Sequence, residues 1–331
     1  MLYQYQMRMN KCLYCYRPVD DDTDFHEKCS MSFFGLKKPP KMPYTIDQMA
    51  ELAKDVVERS VSVPGVQAKL SMSLVKETRE TSESRLTVVG VLGGGYIFKP
   101  PSDDYPEMPQ NEHVTMRIAE AFGIRVVPSS LIKLASGELA YITKRVDRKE
   151  TGEKIHMIDM FQITEAFDKY KSSMEKVGKA IGSYSDNTLL DRLFFFEMAL
   201  FNFLTGNNDM HLKNFSMIES VSGWVLAPAY DLLNVTIINP GDKEELALTM
   251  EGKKKKLRLE DFKQFGKSIG LTGKQIDRVF KRFFSNKPVA MILIDNSCLS
   301  PEMKDAYKEV LKERYTRISI AYKGMFTNLS D

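Results

Sequence analysis

Cysteine, tryptophan and long apolar runs are what this 331-residue chain has least of, with four Cys and one Trp in all. A bilayer span needs about 18 or more predominantly apolar residues. The best candidate stretch, Leu193 to Leu204, is broken by Glu197 and Asn202. Met1 to Lys11 contains no apolar core of a secretory signal, so the expectation is a cytoplasmic protein without a membrane partner. Three of the four cysteines (Cys12, Cys15, Cys29) crowd the first thirty residues, which argues against a disulfide framework in a chain of this length. Charge of one sign is also scarce: 47 Lys plus Arg against 44 Asp plus Glu leave +3. Bulk charge therefore does not point to nucleic acid or an anionic surface. No Gly-x-x-x-x-Gly-Lys-Ser or -Thr pattern occurs, since Gly266-Lys267-Ser268 has Asp261 where the first glycine would stand, which removes the commonest glycine-rich phosphate loop.

What is present is an ordinary globular composition, 43% hydrophobic and 27% charged, in a length suited to about two domains. The N-terminal segment carries Cys12-Leu-Tyr-Cys15 and, ten residues on, His26-Glu-Lys-Cys29, followed by Lys37-Lys38-Pro39-Pro40, which has the character of a linker. Two ligand pairs with two residues between the members of each can meet adjacent corners of one tetrahedral ion. Cys12, Cys15, His26 and Cys29 are thus candidates for a structural Zn2+ knuckle, the alternative being small buried thiols beside a surface histidine.

From residue 60 to 148 the pattern is strand-like, with Lys69–Val75, Leu86–Leu92, Tyr96–Lys99, Leu131–Leu134 and Leu139–Arg145 separated by polar or glycine-rich turns. Gly93-Gly94-Gly95 suits a hairpin turn. One helix is predicted over Asn111–Phe122, with Asn111 as N-cap and Glu112 in its first turn, ended by Gly123. Beyond Asp159 long apolar helices are predicted over Asn187–Leu204, Leu259–Ile269, Thr272–Phe284 and Pro301–Tyr322. The expected fold class is α+β, an antiparallel sheet followed by helices. Lys253 to Lys256 has the pattern of a solvated hairpin tip.

Polar residues concentrate in Gly206-Asn207-Asn208-Asp209-Met210-His211-Leu212-Lys213-Asn214, directly after an apolar helix. Asp209 and Asn214 are five apart, the interval at which a kinase catalytic loop sets a hydroxyl-orienting Asp and a Mg2+-holding Asn. Asp231 follows a Trp224–Leu226 strand, and a hairpin there brings it toward Asn214. Together they offer hard oxygen ligands to Mg2+. Upstream, Lys99 closes the apolar run Tyr96-Ile97-Phe98, and Glu112 lies on the next helix. The loop Ser60-Val-Ser62-Val-Pro-Gly65-Val-Gln67-Ala-Lys69 presents small residues, amides and hydroxyls that could face an anion. Phosphate on Ser60 or Ser62 would place about two negative charges there and oppose nucleotide binding.

With these residues in order, the chain resembles the HipA-like Ser/Thr protein kinases, the toxin half of bacterial toxin-antitoxin pairs. The resemblance rests on Ser62-Val-Pro-Gly65-Val-Gln67-Ala-Lys69, Tyr96-Ile-Phe-Lys99-Pro, Asn111-Glu112, Lys144-Arg145-Val146-Asp147-Arg148, His156-Met-Ile-Asp159-Met-Phe-Gln162, Asn208-Asp209-Met-His211-Leu-Lys213-Asn214-Phe-Ser216 and Pro228-Ala-Tyr230-Asp231-Leu. It implies a two-lobed kinase-like fold: a knuckle and linker over residues 1–40, an N-lobe over 41–147 and a helical C-lobe over 148–331. It implies ATP and Mg2+, with Lys99 on the phosphates, Glu112 positioning it, the Lys144–Val146 backbone on adenine, and Ser62, Gly65, Gln67 and Lys69 in the phosphate loop. Asp209 is then the catalytic base, Asn214 and Asp231 hold Mg2+, and Ser62, with Ser60, is the autophosphorylated position. Gln162 and His211 match the family pattern and are expected to pack or hydrogen-bond.

The implied partners are a protein substrate, of which an aminoacyl-tRNA synthetase is one candidate, a HipB-like antitoxin through which DNA is reached indirectly, and a small separately encoded subunit. Conventional Gly-x-Gly-x-x-Gly, Asp-Phe-Gly and Ala-Pro-Glu segments are missing. Two other classes compete: a catalytically inactive kinase-fold module acting with a DNA-binding repressor, and a small-molecule phosphotransferase.

Overall fold

The computed structural model describes residues 10–20, 23–59, 69–75, 84–89 and 93–326. The chain divides into two compact units. One comprises Met1–His113, Pro128–Arg145 and Asn296–Cys298, and the other Val114–Val127, Val146–Asp295 and Leu299–Asp331. The architecture is α+β.

The first, sheet-bearing unit holds α1 (Glu27–Phe34), α2 (Ile46–Arg59), β1 (Leu70–Val75), β2 (Arg85–Val88), β3 (Tyr96–Lys99), the start of α3 (Met108–Ala121), β4 (Ser129–Lys133) and β5 (Leu139–Lys144). The five strands pair antiparallel in the order β2-β1-β3-β5-β4. Paired positions share a face, so Leu70, Phe98 and Ile142 stand together on one side and Lys99 with Tyr141 on the other. Phe33 and Phe34 of α1 pack on Tyr96, with ring centroids 5.9 and 6.2 Å away. The Lys99 face is thereby left to α3. Helix α1 stops at Gly35, whose left-handed backbone (φ 70°) lets its N–H reach the Met31 carbonyl.

Several local expectations are corrected by this topology. Gly93–Gly95 does not form a hairpin, because β1 lies between β2 and β3. The run instead brings the chain against β1: Gly94 takes φ +79°, and a Cβ there would stand 2.3 Å from the Met72 carbonyl oxygen. Asn111 is not an N-cap. Helix α3 begins three residues earlier, after Glu107 at φ 57°, so Asn111 is a buried interior residue and Glu112 lies in the second turn. Just after Lys37–Pro40, the Lys41 backbone bonds Ser84 and Leu86 beside β2.

The second, helical unit contains the rest of α3, β6 (Met157–Asp159), α4 (Met160–Ile163), α5 (Met174–Tyr184), α6 (Thr188–Thr205), a 3-10 turn at Leu212–Asn214, β7 (Ser216–Ser220), β8 (Gly223–Leu226), α7 (Val235–Ile238), α8 (Leu259–Ser268), α9 (Gly273–Asn296) and α10 (Pro301–Phe326). Strands β6, β7 and β8 form a small antiparallel sheet. Helix α6 is buried from Phe194 to Thr205, and Phe195, Phe196, Phe201 and Phe203 meet Phe122, Phe215, Phe262, Phe265 and Phe280. Each such ring contributes about 1.5–3 kcal/mol on burial, which makes α6 the spine of the unit. Helix α9 runs past the expected end at Phe284 and through Pro288, because Ala290 and Ile294 continue its buried face. Among the described residues no helix is long and apolar enough to cross a membrane.

Candidate active site

In the sheet-bearing unit, Lys99 ends β3 as a side chain only 4% exposed. Its Nζ donates to both carboxylate oxygens of Glu112 on α3, at 2.6 and 2.8 Å, and sits 5.3 Å from the centre of the Tyr141 ring. An ammonium this deeply buried is tolerable only beside a countercharge, so the pair reflects the inward reach expected of a lysine closing an apolar strand. At the end of β5, the Lys144 N–H bonds the Pro128 carbonyl and the Arg145 N–H bonds the Gly95 carbonyl, each at 2.9 Å. Lys69 is exposed at the start of β1, while Ser60, Ser62, Gly65 and Gln67 lie outside the described residues.

In the helical unit, α6 ends at Gly206 in the left-handed region (φ 71°), where a Cβ would stand 2.7 Å from Asn234 Oδ1. The chain then turns sharply into the polar loop. Asn207 donates through Nδ2 to Asn202 Oδ1 at 2.9 Å and accepts the Asp209 N–H at 3.3 Å. Asn214 donates through Nδ2 to the Asp209 carbonyl at 3.2 Å, which directs its own amide oxygen away as an acceptor. The Asp231 segment is tied to the same loop: Tyr230 Oη lies 2.6 Å from Ser216 Oγ and donates to the Lys213 carbonyl at 3.1 Å. Asp231 itself adopts φ 57°, a region that aspartate enters more readily than most residues. Asp209, Asn214 and Asp231 are all partly exposed. Their oxygen donors suit a hard divalent cation.

Three further side chains support this region; Tyr170 and Asp191 carried no signal in the sequence, whereas His211 matched the family pattern without an assigned role. Tyr170 donates its hydroxyl to Asp209 Oδ1 at 2.7 Å, and burial, then the Asp209 bond and charge, push its pKa above the usual tyrosine range. His211 is buried edge-on against Tyr170, and its Nδ1 makes no hydrogen bond among the described residues. Burial lowers its pKa, with the charges of Asp209 and Asp231 pulling the other way. Asp191, buried on α6, accepts from the Leu226 N–H and Ser185 Oγ, each at 2.7 Å, and pairs with Arg125, thereby anchoring the end of β8. Gln162 forms a capping box with Asp159 at α4, a structural role.

The N-terminal cluster is assembled. The ligand atoms of Cys12, Cys15, His26 and Cys29 all lie within 4.8 Å of one another. His26 Nε2 lies 2.8 Å from the Pro18 carbonyl, a bond that leaves Nδ1 turned toward the Cys15 and Cys29 sulfurs at 3.5 and 3.8 Å. Burial raises the Cys15 thiol, but bonds from Arg17 and the neighbouring thiols outweigh it and bring its pKa down to about 7. Burial and the charge of Cys12 push Cys29 up to about 12. Three thiolates cannot coexist here without a cation, and the donor set suits Zn2+. The Lys253–Lys256 run is partly neutralised, Lys253 pairing with Asp261 at 2.6 Å and Lys254 with Glu244 at 3.1 Å.

An antiparallel sheet bearing a buried Lys–Glu pair, in one chain with a helical unit that presents an Asp/Asn loop, defines a protein of the kinase-like class. Residues 61–290 match the HipA-like C-terminal domain, and the chain belongs to that family. It is 27% identical over 213 residues to the serine/threonine-protein kinase toxin HipA of Shewanella oneidensis, covering 58% of this chain and 47% of that protein. A candidate kinase of Haemophilus influenzae is 28% identical over 211 residues, covering 60% of this chain and 59% of that one. The solved HipA of Shewanella oneidensis, in its complex with HipB and operator DNA, superposes with a TM-score of 0.65 at 20% identity, covering 83% of this chain and 71% of that one. The matches to these two curated relatives thus span about half the length of each.

Proposed function

We propose that this chain is an ATP- and Mg2+-dependent serine/threonine protein kinase. The observation that carries this reading is the lacing of the Asp209–Asn214 loop to the Asp231 segment through Tyr230 and Ser216. In this reading Asp209 accepts the proton of the attacking hydroxyl, and catalysis is mainly positioning and charge stabilisation. Asn214 and Asp231 would hold Mg2+, which when bound neutralises the charge of the transferring phosphoryl group. Lys99, oriented by Glu112, contacts the phosphates. Adenine meets the backbone between Lys144 and Val146, with Val146 as donor because the Lys144 and Arg145 N–H groups are already bonded. Gly65, Gln67 and Lys69 belong to the phosphate loop, and Ser62, with Ser60, takes the regulatory phosphate. Cys12, Cys15, His26 and Cys29 hold a structural Zn2+. A HipB-like antitoxin is the proposed partner, since the Shewanella HipA is solved with HipB and DNA.

Mass spectrometry after incubation with Mg-ATP and a generic protein tests the reading. Phosphate is expected on the 60–62 segment or on the protein, and on neither in Asp209→Asn. Modification confined to a small molecule, or equal phosphate in Asp209→Asn, overturns it.

A further inference from the structure

The Cys/His cluster and the Lys99–Glu112 pair belong to one unit, and Tyr16 and His113 link the cluster to the helix that carries Glu112. Tyr16 follows Cys15 directly, and its amide closes the knuckle turn on the Cys12 carbonyl at 2.8 Å. Its backbone lies in the left-handed region at φ 62°, a conformation that glycine takes freely and a bulky aromatic residue takes only at a cost. What offsets that cost is the side chain. Tyr16 is 3% exposed, its hydroxyl lies 2.7 Å from Nδ1 of the fully buried His113, and the two rings meet edge-on at 5.1 Å.

His113 follows Glu112 on α3, so the residue that Tyr16 holds is the neighbour of the one that holds Lys99. The far side of the knuckle is fastened as well. The Leu13 carbonyl accepts the Leu131 N–H of β4 at 3.2 Å, and Asp24 pairs with Lys133 at the end of that strand. The cluster is therefore clamped between the sheet and α3. Its four donor atoms, all within 4.8 Å of one another, offer a single tetrahedral cation a full set of ligands.

We propose that the zinc-loaded knuckle braces α3. Metal on Cys12, Cys15, His26 and Cys29 fixes the turn that carries Tyr16, Tyr16 holds His113, and α3 thereby presents Glu112 to Lys99. Tyr16 and His113 are positioning residues of the nucleotide site, acting through Glu112, and loss of zinc releases the pair. The brace itself rests on the zinc reading above and only its consequence for the nucleotide site on the kinase reading; its direct readout, the burial of Lys99, does not need ATP.

The experiment uses the full chain, with zinc measured by release to a chromogenic chelator. Limiting acetylation followed by mass spectrometry reports Lys99 against the exposed Lys154 of the helical unit. In zinc-loaded wild type Lys99 is protected. In Tyr16→Phe, which keeps the ring and the cluster, and in wild type stripped by the chelator, Lys99 labels about fivefold faster relative to Lys154, as expected when one buried hydrogen bond no longer restrains a local opening. Tyr16→Phe retains one zinc per chain, and its KM for ATP rises more than its kcat falls. Unchanged Lys99 labelling in both samples, or a cluster that takes up no zinc, overturns the proposal. If labelling responds but wild type binds no ATP, the brace stands and the kinase reading falls. If wild type phosphorylates protein and labelling ignores both perturbations, the brace falls alone.

Discussion

Lys99 Nζ lies 2.6 and 2.8 Å from the two carboxylate oxygens of Glu112, in a pair almost wholly removed from solvent. Removing one partner leaves a buried charge with its main counterion gone, whereas removing both leaves an apolar gap. Glu112→Gln is expected to cost about 3–5 kcal/mol of stability. Adding Lys99→Met to it should recover part of that loss. Guanidinium unfolding of the two singles and the double checks this, and a double variant less stable than Glu112→Gln alone contradicts it.

Tyr170 donates its hydroxyl to Asp209 Oδ1, one of the two oxygens that the proposed base could offer an attacking hydroxyl. Asp209→Asn should lower phosphoryl transfer by about 10²–10⁴, the usual contribution of a positioned base. Tyr170→Phe removes a competitor for that oxygen and should lower KM for the protein substrate while kcat changes little. Steady-state kinetics with varied protein substrate separates the two, and a KM that rises in Tyr170→Phe assigns the phenol a different role.

Two left-handed glycines differ in their surroundings. Gly35 has open space where a Cβ would go, whereas at Gly94 the Cβ would meet the Met72 backbone. Gly35→Ala should cost about 1 kcal/mol for conformation alone. Gly94→Ala should exceed it by at least about 1 kcal/mol, because strand β1 must move. Thermal melting of the two variants reads the difference, and equal losses would deny the close approach.

Glu197 is buried on α6, and burial raises its pKa although Arg282, 2.6 Å away, partly opposes the shift. The native state thus holds this proton to higher pH than the unfolded chain does. Its contribution to stability is fully present below the ordinary glutamate range and is lost as pH rises through the raised native value. Glu197→Gln removes that loss, so its stability relative to wild type should improve between pH 5 and pH 8. Denaturant midpoints at the two pH values test the sign.

The local signals held where they were local. The Lys99 strand and the apolar run of α6 were legible because each is set within one element. The β2–β3 connection was misread because adjacency in sequence suggested a hairpin, and only pairing with β1 on both sides shows otherwise. Asn111 suggested a cap by residue type, yet the helix had already begun at Met108.

Residue types, spacing and periodicity determined by themselves that this chain would be an α+β protein with a metal-ligand quartet near one end and a polar loop behind a buried helix. Tertiary structure alone decided which side chains serve those features: Tyr170 on Asp209, Asp191 on Leu226 and Tyr16 on His113 are separated by 39, 35 and 97 positions. Short-range pattern follows from backbone geometry and can be seen in a line of residues. A hydrogen bond between distant segments exists only once packing has brought both into the same dry place, and no local pattern encodes that meeting.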